Sequence, residues 1–200
     1  MLFLFFVLIS FGTSHLVHNL RFDEKNDLTQ LQLAVRKGDI KGVQSCISDG
    51  HKINLIDSHG KTPLHLALDR SHTEIATCLI NAGINVNISD NNNETALHLA
   101  VKKNFSEIVD LLLIHEVNLS AIDGHGKTAL HLALENGFQH IATNLIKSGI
   151  DITVIDENKK TALQLAIEKD YTDIIALLTN LQTTQLNNRD SHSDTHTEEL

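Results

Sequence analysis

Tryptophan is absent from the 200-residue chain, Tyr171 is its only tyrosine, and Pro63 is its only proline. Four of the seven phenylalanines crowd into the first eleven residues, so the body of the chain has almost no aromatic surface from which to build a core. Leu, Ile, Val and Ala must supply it, and a core of that kind suits closely stacked helices, which a sequence nearly free of proline can carry in number. Cysteine is scarce too. Cys46 and Cys78 lie inside apolar helical stretches and form no CxxC or Cys/His ligand spacing, so they are expected to be reduced, buried, small hydrophobes. Positive charge is short: 16 Lys and Arg face 25 Asp and Glu, for a net charge of −9. With no basic stripe to neutralise phosphates, a nucleic-acid partner is excluded. Part of the acidity belongs to the C-terminal end, where Arg189 stands against Asp190, Asp194, Glu198 and Glu199.

Long apolar runs are also missing, with one exception. Met1 to Phe11 reads MLFLFFVLISF, too short for the roughly 20 apolar residues of a membrane span but the right length for a secretory hydrophobic region. Gly12-Thr13-Ser14 supplies small residues for cleavage after Ser14, whereas no Lys or Arg precedes the run. Three readings stay open: a cleaved signal, an uncleaved hydrophobic leader, and a misassigned start. The compartment follows that choice, exported in the first case and cytoplasmic otherwise.

What is present is repetition. Thr29, Thr62, Thr95, Thr128 and Thr161 fall 33 residues apart, as do Leu31, Leu64, Leu97, Leu130 and Leu163, and Ala34, Ala67, Ala100, Ala133 and Ala166. Gly50, Gly83 and Gly149 keep the same period, with Glu116 in the place between. Four columns at one spacing identify a repeat architecture. Within a unit, Asp57 and Gly60 are turn residues, Thr62 is placed to cap a helix, and Pro63 occupies its first turn, where a missing N–H costs nothing. Leu64, Leu66 and Ala67 form the apolar side of that first helix. The corner His72-Thr73-Glu74 leads to a second apolar run, Ile75 to Ile80, which Gly83 ends. Val43 and Ile47, Ile108 and Leu112, Ile141 and Leu145, and Ile174 and Leu178 are the matching i, i+4 pairs of the other second helices.

One helix pair cannot bury its apolar face alone, so each unit must lean on the units before and after it. The array divides into residues 24–56, 57–89, 90–122, 123–155 and 156–181, preceded by the leader 1–14 and a linker 15–23, and followed by a polar tail, 182–200, expected to be disordered. Polar Gln30 and Gln32 suit a first repeat with one solvent-facing side. In the last repeat Gln164, Asp170 and Lys159 replace histidine and two glycines, and fraying is expected there.

These residues resemble the ankyrin repeat. Its T-P-L-H-x-A motif stands complete at Thr62-Pro63-Leu64-His65-Leu66-Ala67 and, with Ala for Pro, at Thr95 to Ala100 and Thr128 to Ala133. Looser copies begin at Thr29 and Thr161. The resemblance covers about four fifths of the chain. It implies an all-α solenoid of helix-turn-helix units with outward β-turn or hairpin tips, and a protein-binding scaffold that is no enzyme and carries no cofactor.

Thirteen histidines raise the question of a metal, most strongly through the column His65, His98 and His131. Packed helices sit about 8–10 Å apart, whereas shared zinc needs each ligand nitrogen at about 2 Å, so the column cannot converge on one ion. A ladder in which each imidazole hydrogen-bonds the backbone of a neighbouring turn is the alternative, and it agrees with what the resemblance implies. The pair His192 and His196 binds metal only if helical. No GxSxG, P-loop or dinucleotide glycine pattern occurs. Sequons at Asn87, Asn93, Asn104 and Asn118 matter only to a chain passing through a eukaryotic secretory route. Asn93 also stands at a turn-glycine position, whose left-handed conformation asparagine tolerates.

The resemblance implies that the turn tips and the exposed side of the first helices line a concave groove. The tip positions are Ser58, His59 and Lys61; Asn91, Asn92 and Glu94; Gly124, His125 and Lys127; and Glu157, Asn158 and Lys160. The helix positions are Arg36 and Lys37; Asp69 and Arg70; Lys102 and Lys103; Glu135 and Asn136; and Glu168 and Lys169. They are polar, mixed in sign, and vary while the core columns do not. A recognition surface and a plain solvated face both have this signature. The expectation is a monomer binding another protein there, with an exported effector acting on host proteins as the alternative.

Overall fold

The computed structural model describes residues 28–193, with side chains through residue 184. Residues 1–27, which hold the leader, the linker and the start of the first repeat, and residues 194–200 lie outside it. Ten helices lie among the described residues: α1 (Gln30–Lys37), α2 (Ile40–Ser48), α3 (Pro63–Asp69), α4 (Thr73–Asn81), α5 (Ala96–Lys102), α6 (Ser106–Ile114), α7 (Ala129–Glu135), α8 (Gln139–Lys147), α9 (Ala162–Glu168) and α10 (Thr172–Ser193). No strand occurs among them; the tips carry only the isolated antiparallel bridges Ser89–Thr95 and Ile155–Thr161. The described residues form two compact units, unit 1 up to Leu99 and unit 2 from Ala100. In unit 1, α1 pairs with α2 and α3 with α4, and the pairs stack α1 on α3 and α2 on α4. In unit 2, α7 pairs with α8 and α9 with α10, while α7 stacks on α9, α6 on α8 and α8 on α10.

Each first helix starts where the threonine column puts it. The Thr62 hydroxyl accepts from the His65 N–H and the Thr62 N–H donates to His65 Nδ1, a reciprocal cap repeated at Thr29, Thr128 and Thr161. Pro63 takes the first helical position. The alanine column then fixes the helix end. The N–H groups of Asp39, His72, Phe105, Phe138 and Tyr171 reach back to the carbonyls of Ala34, Ala67, Ala100, Ala133 and Ala166 at 2.8–3.0 Å. That six-to-one closure requires a left-handed residue before it, and Gly38, Ser71, Asn104, Gly137 and Asp170 supply it with φ between 56° and 78°.

Leu64, Leu97, Leu130, Ala67, Ala100, Ala133, Leu79, Leu112, Leu145 and Leu178 are all at most 1% exposed, an aliphatic core as the composition demands. Five expectations need correction. Gln32 is buried, not solvent-facing, because it occupies the histidine column: its Oε1 accepts from the Thr29 N–H and its Nε2 donates to the Leu55 carbonyl. Cys78 is half-buried; Cys46 alone is buried. Ile47 is likewise half-buried beside buried Val43 and Cys46. The last repeat keeps its turns rather than fraying, since Lys159 and Asp170 adopt φ of 59° and 56°. Helix α10 continues past residue 182 to Ser193, where a disordered tail is expected to have begun. Neither glycine nor proline interrupts that stretch, and Thr179, Thr183 and Thr184 fold their hydroxyls onto carbonyls three or four residues back.

Candidate functional site

The tips are built by one aspartate each. In unit 1, Asp57 Oδ1 accepts from the N–H groups of His59 and Lys61 at 2.9 Å, and Asp90 Oδ1 from those of Asn92 and Glu94 at 2.9 and 3.0 Å. Main-chain bonds Asp57 N–H to Lys61 O and Gly60 N–H to Asp57 O close the turn. Asp123 and Asp156 repeat the arrangement in unit 2. Successive tips are then joined: the Asn91 N–H donates to the His59 carbonyl at 3.1 Å, the Asn91 side-chain amide to the Ser58 carbonyl at 3.2 Å, and in unit 2 the Glu157 N–H to the His125 carbonyl at 3.1 Å.

The imidazole ladder is present and its direction is set by the caps. Because the Thr62 N–H donates to His65 Nδ1, the ring proton sits on Nε2, which donates to the Glu94 carbonyl of the next turn at 3.0 Å. His131 does the same toward the Lys160 carbonyl at 3.2 Å. Burial pushes both imidazoles below their ordinary pKa, and the hydrogen bonds to those carbonyls only partly oppose it. They are therefore neutral structural links. Among the described residues no cluster of His, Cys, Asp or Glu has the size to hold a metal ion. Burial, reinforced by the charges of Asp49 and Asp39, raises the Cys46 thiol above its usual value, which keeps it protonated and a poor nucleophile.

Beside these links, unit 1 opens a groove of about 610 Å³ lined by Arg36 of α1, Leu66, Asp69 and Arg70 at α3, Asp57, His59 and Lys61 of one tip, and Asn91 and Asn92 of the next. Seven of the nine belong to the expected recognition positions. Leu66 and Asp57 do not. Leu66 reads in sequence as core and is indeed only 7% exposed, but it is the groove floor; Asp57 reads as a turn former, which it also is. The signal that finds both is proximity across 33-residue neighbours, which sequence alone does not display.

The remaining positions distribute as follows. Lys37 and Ser58 are exposed outside the groove lining, and Glu94 is half-buried, its main chain tied to Asp90 and His65. In unit 2, Lys102 Nζ lies 3.8 Å from the buried Asp123 Oδ2, His125 Nδ1 3.2 Å from Glu157, Lys127 Nζ 2.8 Å from Glu135, and Lys160 Nζ 2.7 Å from Glu168. Asn136 turns its amide back to the Leu132 carbonyl at 2.8 Å, and Lys103, Gly124, Asn158 and Lys169 are exposed.

The lysine beside each aspartate turn carries more than one charge relation. Lys61 is ion-paired with Asp69; burial lowers its pKa, but that bond and the charges of Asp69, Asp90 and Asp57 outweigh burial and leave it raised. Lys127 is raised first by its hydrogen bond to Glu135, with Asp123 and Asp156 adding to it. Asp90, Asp123 and Asp156 each bury one carboxylate oxygen that has no hydrogen-bond partner among the described residues. Those oxygens are compensated at longer range by these ammonium groups.

No helix of the described residues is long and apolar enough to cross a membrane. No curated protein sequence matches the chain. A family model described as ankyrin repeats (3 copies) matches residues 6–90, 31–123, 83–156 and 116–190 in overlapping registers. Members of that family are generally protein–protein interaction modules and typically non-enzymatic scaffolds. Helix pairs capped by threonine, closed on alanine, linked by histidine and matched along nearly the whole sequence have one reading: the chain belongs to the ankyrin-repeat family.

Proposed function

We propose that this protein is a scaffold that binds another protein through the tips and first-helix face, with the groove of unit 1 at the centre of the contact, and that it performs no catalysis. The observation that carries the reading is the groove itself: variable polar side chains surround a short apolar floor at Leu66, mounted on turns held by the Asp57 and Asp90 carboxylates. Turns so constrained lose little freedom on binding, which lowers the ordering cost of an interface. The test uses the immobilised full chain. A partner captured by the wild type is expected to be lost from the exposed-tip variant H59E/N92R and kept by Lys147→Glu on the second-helix side. Equal capture by all three moves the site elsewhere.

A second reading, an exported effector acting on a host protein, is favoured by one observation, the apolar stretch of residues 1–14. Sequencing the N-terminus of the protein from its native cell decides it. A start at His15 supports export, and a retained Met1 removes it.

A further inference from the structure

Most charges on the expected recognition positions are already matched. Lys61 is paired with Asp69, Lys127 with Glu135, Lys160 with Glu168 and His125 with Glu157. Arg36 and Arg70 are different. Both line the groove of unit 1, and neither guanidinium forms a hydrogen bond or ion pair with any described residue. Of the two carboxylates that share the lining, Asp69 is ion-paired with Lys61, and Asp57 turns its Oδ1 to the N–H groups of its own turn. Arg36, Lys61 and Arg70 outnumber Asp57 and Asp69 in the lining, so the groove is a locally positive site in a chain whose net charge is −9. A guanidinium is always ionised and presents a planar fork of donors that matches a carboxylate in a bidentate way.

We propose that the groove selects an extended acidic segment of a partner protein, with Arg36 and Arg70 pairing to Asp or Glu side chains on either side of an apolar residue seated over Leu66. The proposal rests on the groove being a protein-binding site and adds the chemistry of what it takes. Because the chain as a whole is acidic, the attraction is short-ranged, and it weakens as salt shortens the screening length below about 8 Å.

The experiment selects binders from a display library of random twelve-residue peptides against the full chain, then measures affinities of the synthetic winners for wild type, R36Q/R70Q and R36K/R70K. Thermal unfolding confirms that each variant is folded. The expected result is enrichment of Asp and Glu, a loss of about tenfold or more in R36Q/R70Q, a smaller loss in R36K/R70K, and weaker binding above physiological salt. Binders that lose affinity in H59E/N92R yet lack acidic residues, or that bind R36Q/R70Q unchanged, overturn the proposal while leaving the groove as a binding site. Binders indifferent to H59E/N92R overturn both. Arginine-dependent capture of a peptide of residues 189–200, or of a single-stranded oligonucleotide, in preference to the winners overturns the assignment of the occupant.

Discussion

At the scale of single residues, backbone handedness and proton position decide most. The turn column Gly60, Asn93, Gly126 and Lys159 and the corner column Gly38, Ser71, Asn104, Gly137 and Asp170 are all left-handed, although only some are glycine. A left-handed non-glycine residue costs roughly 1–2 kcal/mol, which the surrounding closures offset. Gly60 differs because a Cβ there would meet Asn91 Oδ1 at 2.6 Å and the Asn91 nitrogen at 3.0 Å, whereas one at Gly83 would meet nothing within 4 Å. Gly83→Ala should then cost about 1–2 kcal/mol in urea unfolding, and Gly60→Ala measurably more. An equal cost would show that the tips shift apart freely.

The buried imidazoles of His65 and His131 make a second prediction. Their folded pKa values lie below the ordinary value of about 6.5, so folding favours the neutral form. Their full stabilising contribution is present above that ordinary value. It is lost as pH falls from there through the depressed folded values, because the unfolded chain takes up protons first. Unfolding free energy should decline between about pH 7 and 5, and less steeply in H65Q/H131Q. Glutamine is tolerated in this column, since Gln32 and Gln164 make the same cap. An unchanged slope places the titration on other groups.

Among elements, the first helices were almost fully legible. Their threonine caps, Pro63 and the leucine and alanine columns are local signals, and each boundary follows from a hydrogen bond within a few residues. The second helices were legible by periodicity alone, which located Ile108, Ile141 and Ile174 on the buried side but overstated Ile47 and Cys78. How deeply a side chain is buried depends on the neighbouring pair, not on its own helix. Helix α10 shows the same limit in reverse. Polar composition suggested a structureless end, yet a chain without breakers continues a helix once Ile174 and Leu178 anchor its first turns. The side chains of Thr179, Asn180, Thr183 and Thr184 are exposed. Truncation after Leu181 should therefore lower stability by less than about 0.5 kcal/mol, measured by thermal unfolding, while truncation after Asp173, which removes the buried pair, should unfold the last repeat.

For the molecule as a whole, stability resides in the stacked aliphatic columns. Leu79 in unit 1 and Leu145 in unit 2 are fully buried, and each substitution by alanine leaves a cavity expected to cost about 2–5 kcal/mol in urea unfolding. A smaller loss at either would mean that its unit collapses around the gap. By itself the sequence determined the period, the all-α class, the caps and the polar positions that vary, because those follow from spacing and from hydrogen bonds made within one turn. Only the tertiary structure decided which of those positions share a groove and which charges are already used. Lys61 and Asp69 are eight residues apart and pair; Arg36 and Arg70 are 34 apart, line one groove and pair with nothing described. Charge compensation is a property of distances in space, and spacing along the chain records them only where the backbone itself carries the contact.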